Sequence, residues 1–249
     1  MTSGNCLRKL APQRSAKSLN NRSEKNAAIT ARRPSTTFHS ILPIMHEEIL
    51  SQAQLTLAET ILPSFPKFYL CGGTALALQI GHRKSIDFDL ATPEEIRPES
   101  ILRTLQAKGH FPEHTLTATA DELTIIVQGV KLTFFSFPFP IRPTVSWPRA
   151  GIRLPEIPVI GSMKAYALGR RSKWKDYVDL YFLLRDHVTL PDLIHRTKTL
   201  FRGAFNAKLF LEQLCYFDDV DMTEQVDFMN EAVPDETIRE WLTLKALAV

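Results

Sequence analysis

Three cysteines in 249 residues, Cys6, Cys71 and Cys215, are too few and too far apart for a disulfide framework or a cysteine-based zinc site. A reducing compartment, taken as cytoplasmic, is the expectation. Long apolar runs are missing too: the stretch from Leu132 to Ile141 falls short of a membrane span and is interrupted by Pro138 and Pro140. No membrane association is expected. The signatures of several enzyme classes are absent as well: there is no Gly-Lys-Ser/Thr phosphate loop, no G-x-G-x-x-G turn, no G-x-S-x-G elbow and no H-E-x-x-H pair. His110 and His114 flank Pro112 in a segment without helical spacing, which reads as a loop rather than a zinc site. No internal repeat is present. What remains is a chain with 44% hydrophobic residues, enough to bury a well-packed core in one large domain or two modest ones.

Acidic residues are scarce in residues 1–45, where Glu24 stands against eight Lys/Arg, a surplus of +7 that leaves the rest of the chain at −4 beneath the overall +3. Large apolar residues are also sparse there, so burial does not offset the entropy of ordering and the segment reads as disordered. Three readings stand side by side: a basic arm that tracks nucleic-acid phosphates, a transit-like segment, or an extension upstream of a start at Met45.

Periodicity organises the remainder. Ile49, Leu50, Leu55, Ala58, Ile61 and Leu62 recur at helical steps, predicting one helix from His46 that Pro63 ends. Phe68 to Cys71 reads as a short strand, Gly72-Gly73 as a tight turn, Thr74 to Ile80 as a helix stopped by Gly81, and Ser85 to Leu90 as the next strand. A helix is expected over Pro93 to Lys108. A hairpin is expected across Gln128-Gly129, joining Leu123–Val127 to Val130–Phe137. The Pro-rich stretch from Pro138 to Pro158 reads as a connector. Beyond it the pattern turns helical, over about 162–170, 174–186, 191–199, 207–217 and 235–247. Sheet-rich first and helical second is an α+β pattern, with lobes at 46–150 and 151–249.

The chemistry-bearing residues gather around the first two strands. In Ile86-Asp87-Phe88-Asp89-Leu90 the strand period sends both carboxylates to one face, about 6.6 Å apart at ~3.3 Å per residue, and the apolar residues to the other. Like charges so close favour a cation between them, and the oxygen preference of Mg²⁺ fits. On its own the pair is also compatible with a wet edge strand. Gly72-Gly73-Thr74 permits close backbone approach at a helix start, where unpaired N–H groups and the dipole attract phosphate, and Thr74 is placed to cap that helix. A plain strand-to-helix turn would look the same. The order of glycine turn, helix and D-x-D strand is what makes them neighbours. In the second half, Lys164, Arg170, Arg171, Lys173, Lys175, Asp176 and Asp179 form a charged cluster. Asp179, set among Val178 and Leu180-Tyr181-Phe182, needs a basic partner such as Lys164 or Arg170 if buried. The run Phe134, Phe135, Phe137, Phe139 reads as core.

Together, Phe68–Leu76, Gly81–Leu90 and Lys175–Leu180 resemble the AbiEii/AbiGii-type nucleotidyltransferase toxins, a branch of the DNA polymerase β-like nucleotidyltransferase superfamily. The resemblance covers about residues 46–249, including Tyr216-Phe217-Asp218-Asp219, and leaves the basic arm outside. It implies a polymerase β-like lobe followed by a helical lobe. Gly72, Gly73 and Thr74 would hold the triphosphate of an NTP, and Asp87 and Asp89 would bind Mg²⁺. Lys164 and Asp179 are similar to the family's distal basic and acidic catalytic positions, with Arg83 and Lys175 as supporting phosphate or structural contacts. An RNA end as acceptor and a cognate antitoxin as partner follow from the same resemblance. One departure stands out: the superfamily's third carboxylate falls at Thr133, and Asp121 and Glu122, at the start of the previous strand, are expected to lie too far away. Either Asp176 or Asp179 completes the site, or fewer protein ligands serve, or the chain binds nucleotide or RNA without catalysis.

Overall fold

A computed structural model describes residues 44–168 and 170–249. Of the basic segment expected to be disordered, residues 1–43 lie outside these residues.

The first expected helix is split in two. A 3₁₀ turn at Glu47–Ile49 gives way at Leu50, and α1 begins afresh at Gln52–Ile61. Ser51 is the reason: its hydroxyl accepts from the Gln54 backbone while the Gln54 side chain accepts from the Ser51 N–H, a reciprocal cap that fixes a new start. Gln54 also donates to the Ser85 carbonyl at 2.9 Å, tying this helix to the approach of the D-x-D strand.

Five strands, β1 (Tyr69–Cys71), β2 (Asp87–Thr92), β3 (His114–Ala118), β4 (Glu122–Val127) and β5 (Val130–Ser136), form one sheet in the order β1-β2-β5-β4-β3. Only β2 and β5 pair in parallel, with Asp87 opposite Lys131 and Asp89 opposite Thr133. The expected hairpin joins β4 to β5, and Gln128 and Gly129 both have positive φ, 51° and 71°, as a two-residue primed turn requires. Phe88, Leu90, Leu132, Phe134, Leu123 and Ile125 project from one face into the main core, where Phe88 meets Trp147 and Phe134 meets Phe65. The other face carries the acids. Ile86, expected to share the apolar face, lies before the strand and is exposed.

Helix α2 (Gly72–Ile80) follows β1 without a linker, and α3 is shorter than expected, Pro98–Ala107, with Pro98 in the first turn where its missing N–H costs nothing. The Pro-rich connector contains a two-stranded hairpin, β6 (Val145–Trp147) with β7 (Ile152–Leu154), whose short strands give little periodic signal. Five helices follow: α4 (Ile157–Leu168), α5 (Trp174–Asp186), α6 (Leu190–Phe201), α7 (Ala207–Gln213) and α8 (Asp235–Leu247). Tyr177, Leu180, Leu183, Leu193 and Leu242 join the apolar core of the sheet, so α5, α6 and α8 pack continuously with the first half. No helix among the described residues is long and apolar enough to cross a membrane.

Candidate active site

Gly72 is the first residue of α2 and has φ +70°, a conformation that side chains other than glycine seldom adopt. A Cβ there would strike the Asp89 carboxylate, and one on Gly73 would strike the Arg83 guanidinium. The pair therefore lets a helix N-terminus close directly onto the acid-bearing strand. Thr74 does not cap this helix. It sits in the first turn, buried, with its hydroxyl bonded to Ser85 Oγ at 2.7 Å and to the Asp87 carbonyl, so it fixes the acid strand against the helix.

Asp87 and Asp89 share a face of β2, as the alternation requires. Asp87 pairs with Lys131 Nζ at 2.5 Å. The Asp89 carboxylate makes no hydrogen bond or ion pair among the described residues. Burial pushes its pKa above the ordinary range; Arg171 opposes the shift, Asp87 adds to it, and Lys131 and Lys164 oppose it further. This face continues through Thr133 on β5 and through Thr124 and Glu122 on β4, where Thr124 donates to Glu122 Oε1 at 2.8 Å.

Facing the acids is a buried ion network from α4 and α5. Lys164 Nζ lies 2.8 Å from Asp176 Oδ1 and 2.5 Å from Asp179 Oδ2. Asp179, 0% exposed, also accepts from Arg83 Nε at 2.7 Å and Nη2 at 2.9 Å and meets His82 Nε2 at 2.6 Å. Burial works against the charged form, but Arg83 and Lys164, with the His82 hydrogen bond, hold the Asp179 carboxyl well below the usual range. For Asp176 burial is likewise overridden, here by Lys164 and Arg171. Burial of His82 outweighs its carboxylate neighbour and keeps the ring neutral. An Nε2–H tautomer then donates to Asp179, and Nδ1 is left buried without a partner.

Two concavities meet at this point. A polar cleft of about 400 Å³ is lined by Gly73, Asp87, Lys131, Lys173, Lys175 and Asp176, among others. A more apolar pocket of about 290 Å³ runs from Gly72 beneath α4. Asp89, Glu122, Thr133, Lys164 and Arg171 line both. A larger, more open groove beside His187 and His195 has neither the glycine turn nor the ion network.

Of the residues expected from sequence, Gly72, Gly73, Asp87, Asp89, Lys164, Lys175 and Arg83 therefore reach the clefts, although the Arg83 guanidinium is engaged by Asp179. Thr74 and Asp179 line neither; Asp176 is the acid of α5 that does. Lys131 and Glu224 are site residues that the sequence does not single out, and Glu122, expected to lie too far away, lines both clefts. Lys131 reaches Asp87 through a parallel strand pairing that no local pattern announces. Glu224 comes from the irregular segment between α7 and α8 and sits between Lys173 Nζ at 2.7 Å and Lys175 Nζ at 3.1 Å. The Lys173 hydrogen bond leads in lowering its pKa to about 2.

A glycine turn, a paired-acid strand and a buried lysine in this arrangement coincide with a family match: the model for the nucleotidyl transferase AbiEii toxin, type IV toxin–antitoxin system, covers residues 56–244. The chain belongs to the AbiEii family. It is a nucleotidyltransferase of a toxin class. An uncharacterized protein of Aquifex aeolicus strain VF5 is 33% identical over 154 residues, 61% of this AbiEii chain and 74% of the relative. Among solved structures, a candidate nucleotidyltransferase from H. pylori superposes with a TM-score of 0.51 at 22% identity, covering 80% of this chain and 95% of its own. The nucleotidyltransferase toxin MenT4 of Mycobacterium tuberculosis H37Rv gives 0.50 at 14% identity, covering 78% and 81%. At such identities these two likenesses speak for the fold, which is the mixed α+β nucleotidyltransferase fold expected from the sequence.

Proposed function

We propose that this AbiEii-family protein transfers a nucleotide from an NTP to an RNA end with the help of Mg²⁺, acting in the cytoplasm as the toxin of a pair restrained by a cognate antitoxin. The observation that carries the reading is the Asp87–Asp89 pair beside the Gly72-Gly73 helix start, faced by Lys164 and Arg171.

The donor set suits Mg²⁺. Asp89 has no partner among the described residues and its burial disfavours the charge that a cation would stabilise. Among the described residues no third acid, His or Cys completes an all-protein cage. Two carboxylates with the remaining positions left to water and phosphate is the usual arrangement for this ion. When bound there, Mg²⁺ would supply charge stabilisation at the α-phosphate and the leaving pyrophosphate.

The chain's own residues do the rest. Backbone N–H groups at the α2 start attract phosphate oxygens, and Gly72 and Gly73 set that helix start directly against Asp89 and Arg83. Lys173 and Lys175 offer the polar cleft two ammonium groups. Lys164 and Arg171, held by Asp176, stand where negative charge grows on the α-phosphoryl group, already oriented before reaction. The acceptor hydroxyl oxygen forms a bond to the α-phosphorus, the bond to the β-phosphate oxygen breaks, pyrophosphate leaves and the hydroxyl proton passes to water. In this reading residues 46–150 carry the acids and the phosphate turn, and residues 151–249 supply the opposing cations. The test is incubation with each α-labelled NTP, Mg²⁺ and total RNA: label should move to RNA, and transfer that survives Asp87→Ala combined with Asp89→Ala would sink the assignment.

A further inference from the structure

The alternation of β5 divides its aromatic run. Phe134 is fully buried in the main core, whereas Phe135 and Phe137 are only half-buried and line the smaller pocket with Ile160, Met163 and Tyr166 of α4. The run is core as read from sequence, Phe134 in the main core and Phe135, Phe137 and Phe139 packed against a second, smaller cluster, but Phe135 and Phe137 also present surface to the pocket. Tyr166 is a fixed wall: Phe201 stacks on it at 4.3 Å, and the Arg170 guanidinium lies 3.6 Å from its ring centre. The pocket, about 290 Å³, is at the low end of small-molecule sites, which span roughly 300–1,000 Å³. It suits one flat ring system. Its mouth is Asp89, Lys164 and Arg171, the wall shared with the polar cleft.

We infer that the Phe135–Phe137–Met163–Tyr166 pocket is a nucleobase subsite for the donor nucleotide. This rests on the transferase reading above and assigns the two concavities opposite roles. The cleft with Lys131, Lys173 and Lys175 takes the charged triphosphate, and the apolar pocket takes the base, whose π-faces gain by leaving water for aromatic and thioether surface. The α-phosphate then falls on the shared wall, between Asp89 and Lys164. Glu122 is a carboxylate acceptor on that wall for an exocyclic amine, while Arg170, which also lines the pocket, donates to the Tyr166 and Ala204 carbonyls.

Ala167 lines the pocket from α4 and is not fully buried, so enlarging its side chain fills the cavity without removing a core contact. The experiment uses the full chain and compares binding of each NTP with binding of inorganic tripolyphosphate, which has the charge and no base. Wild type should bind its preferred NTP at least tenfold more tightly than tripolyphosphate. Ala167→Phe should erase that difference while leaving tripolyphosphate affinity within twofold. Phe135→Ala, which removes one wall, should lose NTP affinity in the same selective way. Equal affinities for NTP and tripolyphosphate in wild type, or an NTP preference that survives Ala167→Phe, would overturn the subsite even if label transfer to RNA is intact. Absence of transfer with the base preference present would overturn the function and leave the subsite standing.

Discussion

Replacing Asp179 by Asn removes one charge and almost no volume, yet the expected cost is large. The carboxylate has no exposure and meets Arg83, Lys164 and His82 at 2.5 to 2.9 Å. Without it, the buried Arg83 and Lys164 are opposed by Asp176 and, for Arg83, by the more distant Glu224, and stranding buried charge costs about 3–5 kcal/mol. That is a large share of the ~5–15 kcal/mol that holds a typical domain folded. At roughly 2–4 °C per kcal/mol for a chain of this size, the melting temperature should fall by about 6–20 °C. Asp87→Asn is the control. Its side chain is 27% exposed and has one partner, Lys131, so its loss should change stability by no more than ~1 kcal/mol while abolishing transfer. Thermal unfolding followed by circular dichroism, beside the label-transfer assay, reads both quantities. If Asp179→Asn melts within about 2 °C of wild type and loses only activity, the view of Asp179 as a buried hub rather than a substrate-facing acid is refuted.

Three further outcomes are expected. His82 has a pKa lowered from 6.5 by burial, so the stability it contributes is present above pH 6.5 and drains away as pH falls toward its folded value; urea denaturation at successive pH values should show this loss, and His82→Gln should lack it in that window while the carboxylate-dependent losses stay further into acid. Asp89 has a raised pKa, so its charged form weakens the empty site at neutral pH: Asp89→Asn should melt a few degrees higher than wild type without metal and gain nothing from added Mg²⁺, whereas wild type should be stabilised by it. Glu224 holds the two lysines that the polar cleft offers to phosphate, so Glu224→Gln should bind tripolyphosphate severalfold more tightly by calorimetry; unchanged or weaker binding would mean that the lysines do not meet phosphate.

What could be read from sequence was what the chain encodes locally. The D-x-D alternation, the Gln128-Gly129 turn, the α2 stop at Gly81 and the bounds of α5 and α8 all rest on periodicity or turn chemistry within a dozen residues, and each appears in the fold. Partnerships across distance were not legible. Lys131 lies 44 positions from Asp87 and meets it only because β5 pairs in parallel with β2. Glu224 lies in a segment without periodicity, held by contacts such as Lys84 N–H to the Asp227 carbonyl and Lys173 beside Asp221. The sequence marks Asp179 as an acid that needs a basic partner, and Lys164 is one, but Arg83 and His82 come from the opposite half of the chain. The split of the first helix shows a local signal overlooked: Ser51-x-x-Gln54 is a cap inside what looked like one continuous apolar stripe.

Nucleotidyl transfer at the Asp87–Asp89 pair is distinguished from phosphoryl transfer by two labels on one NTP. With α-labelled substrate, Mg²⁺ and total RNA, the α label should appear on RNA while a γ label leaves as pyrophosphate, and both signals should vanish in Asp87→Asn, which keeps the wild-type melting temperature. Transfer of the γ label to the acceptor, or α transfer undiminished in that variant, would contradict it.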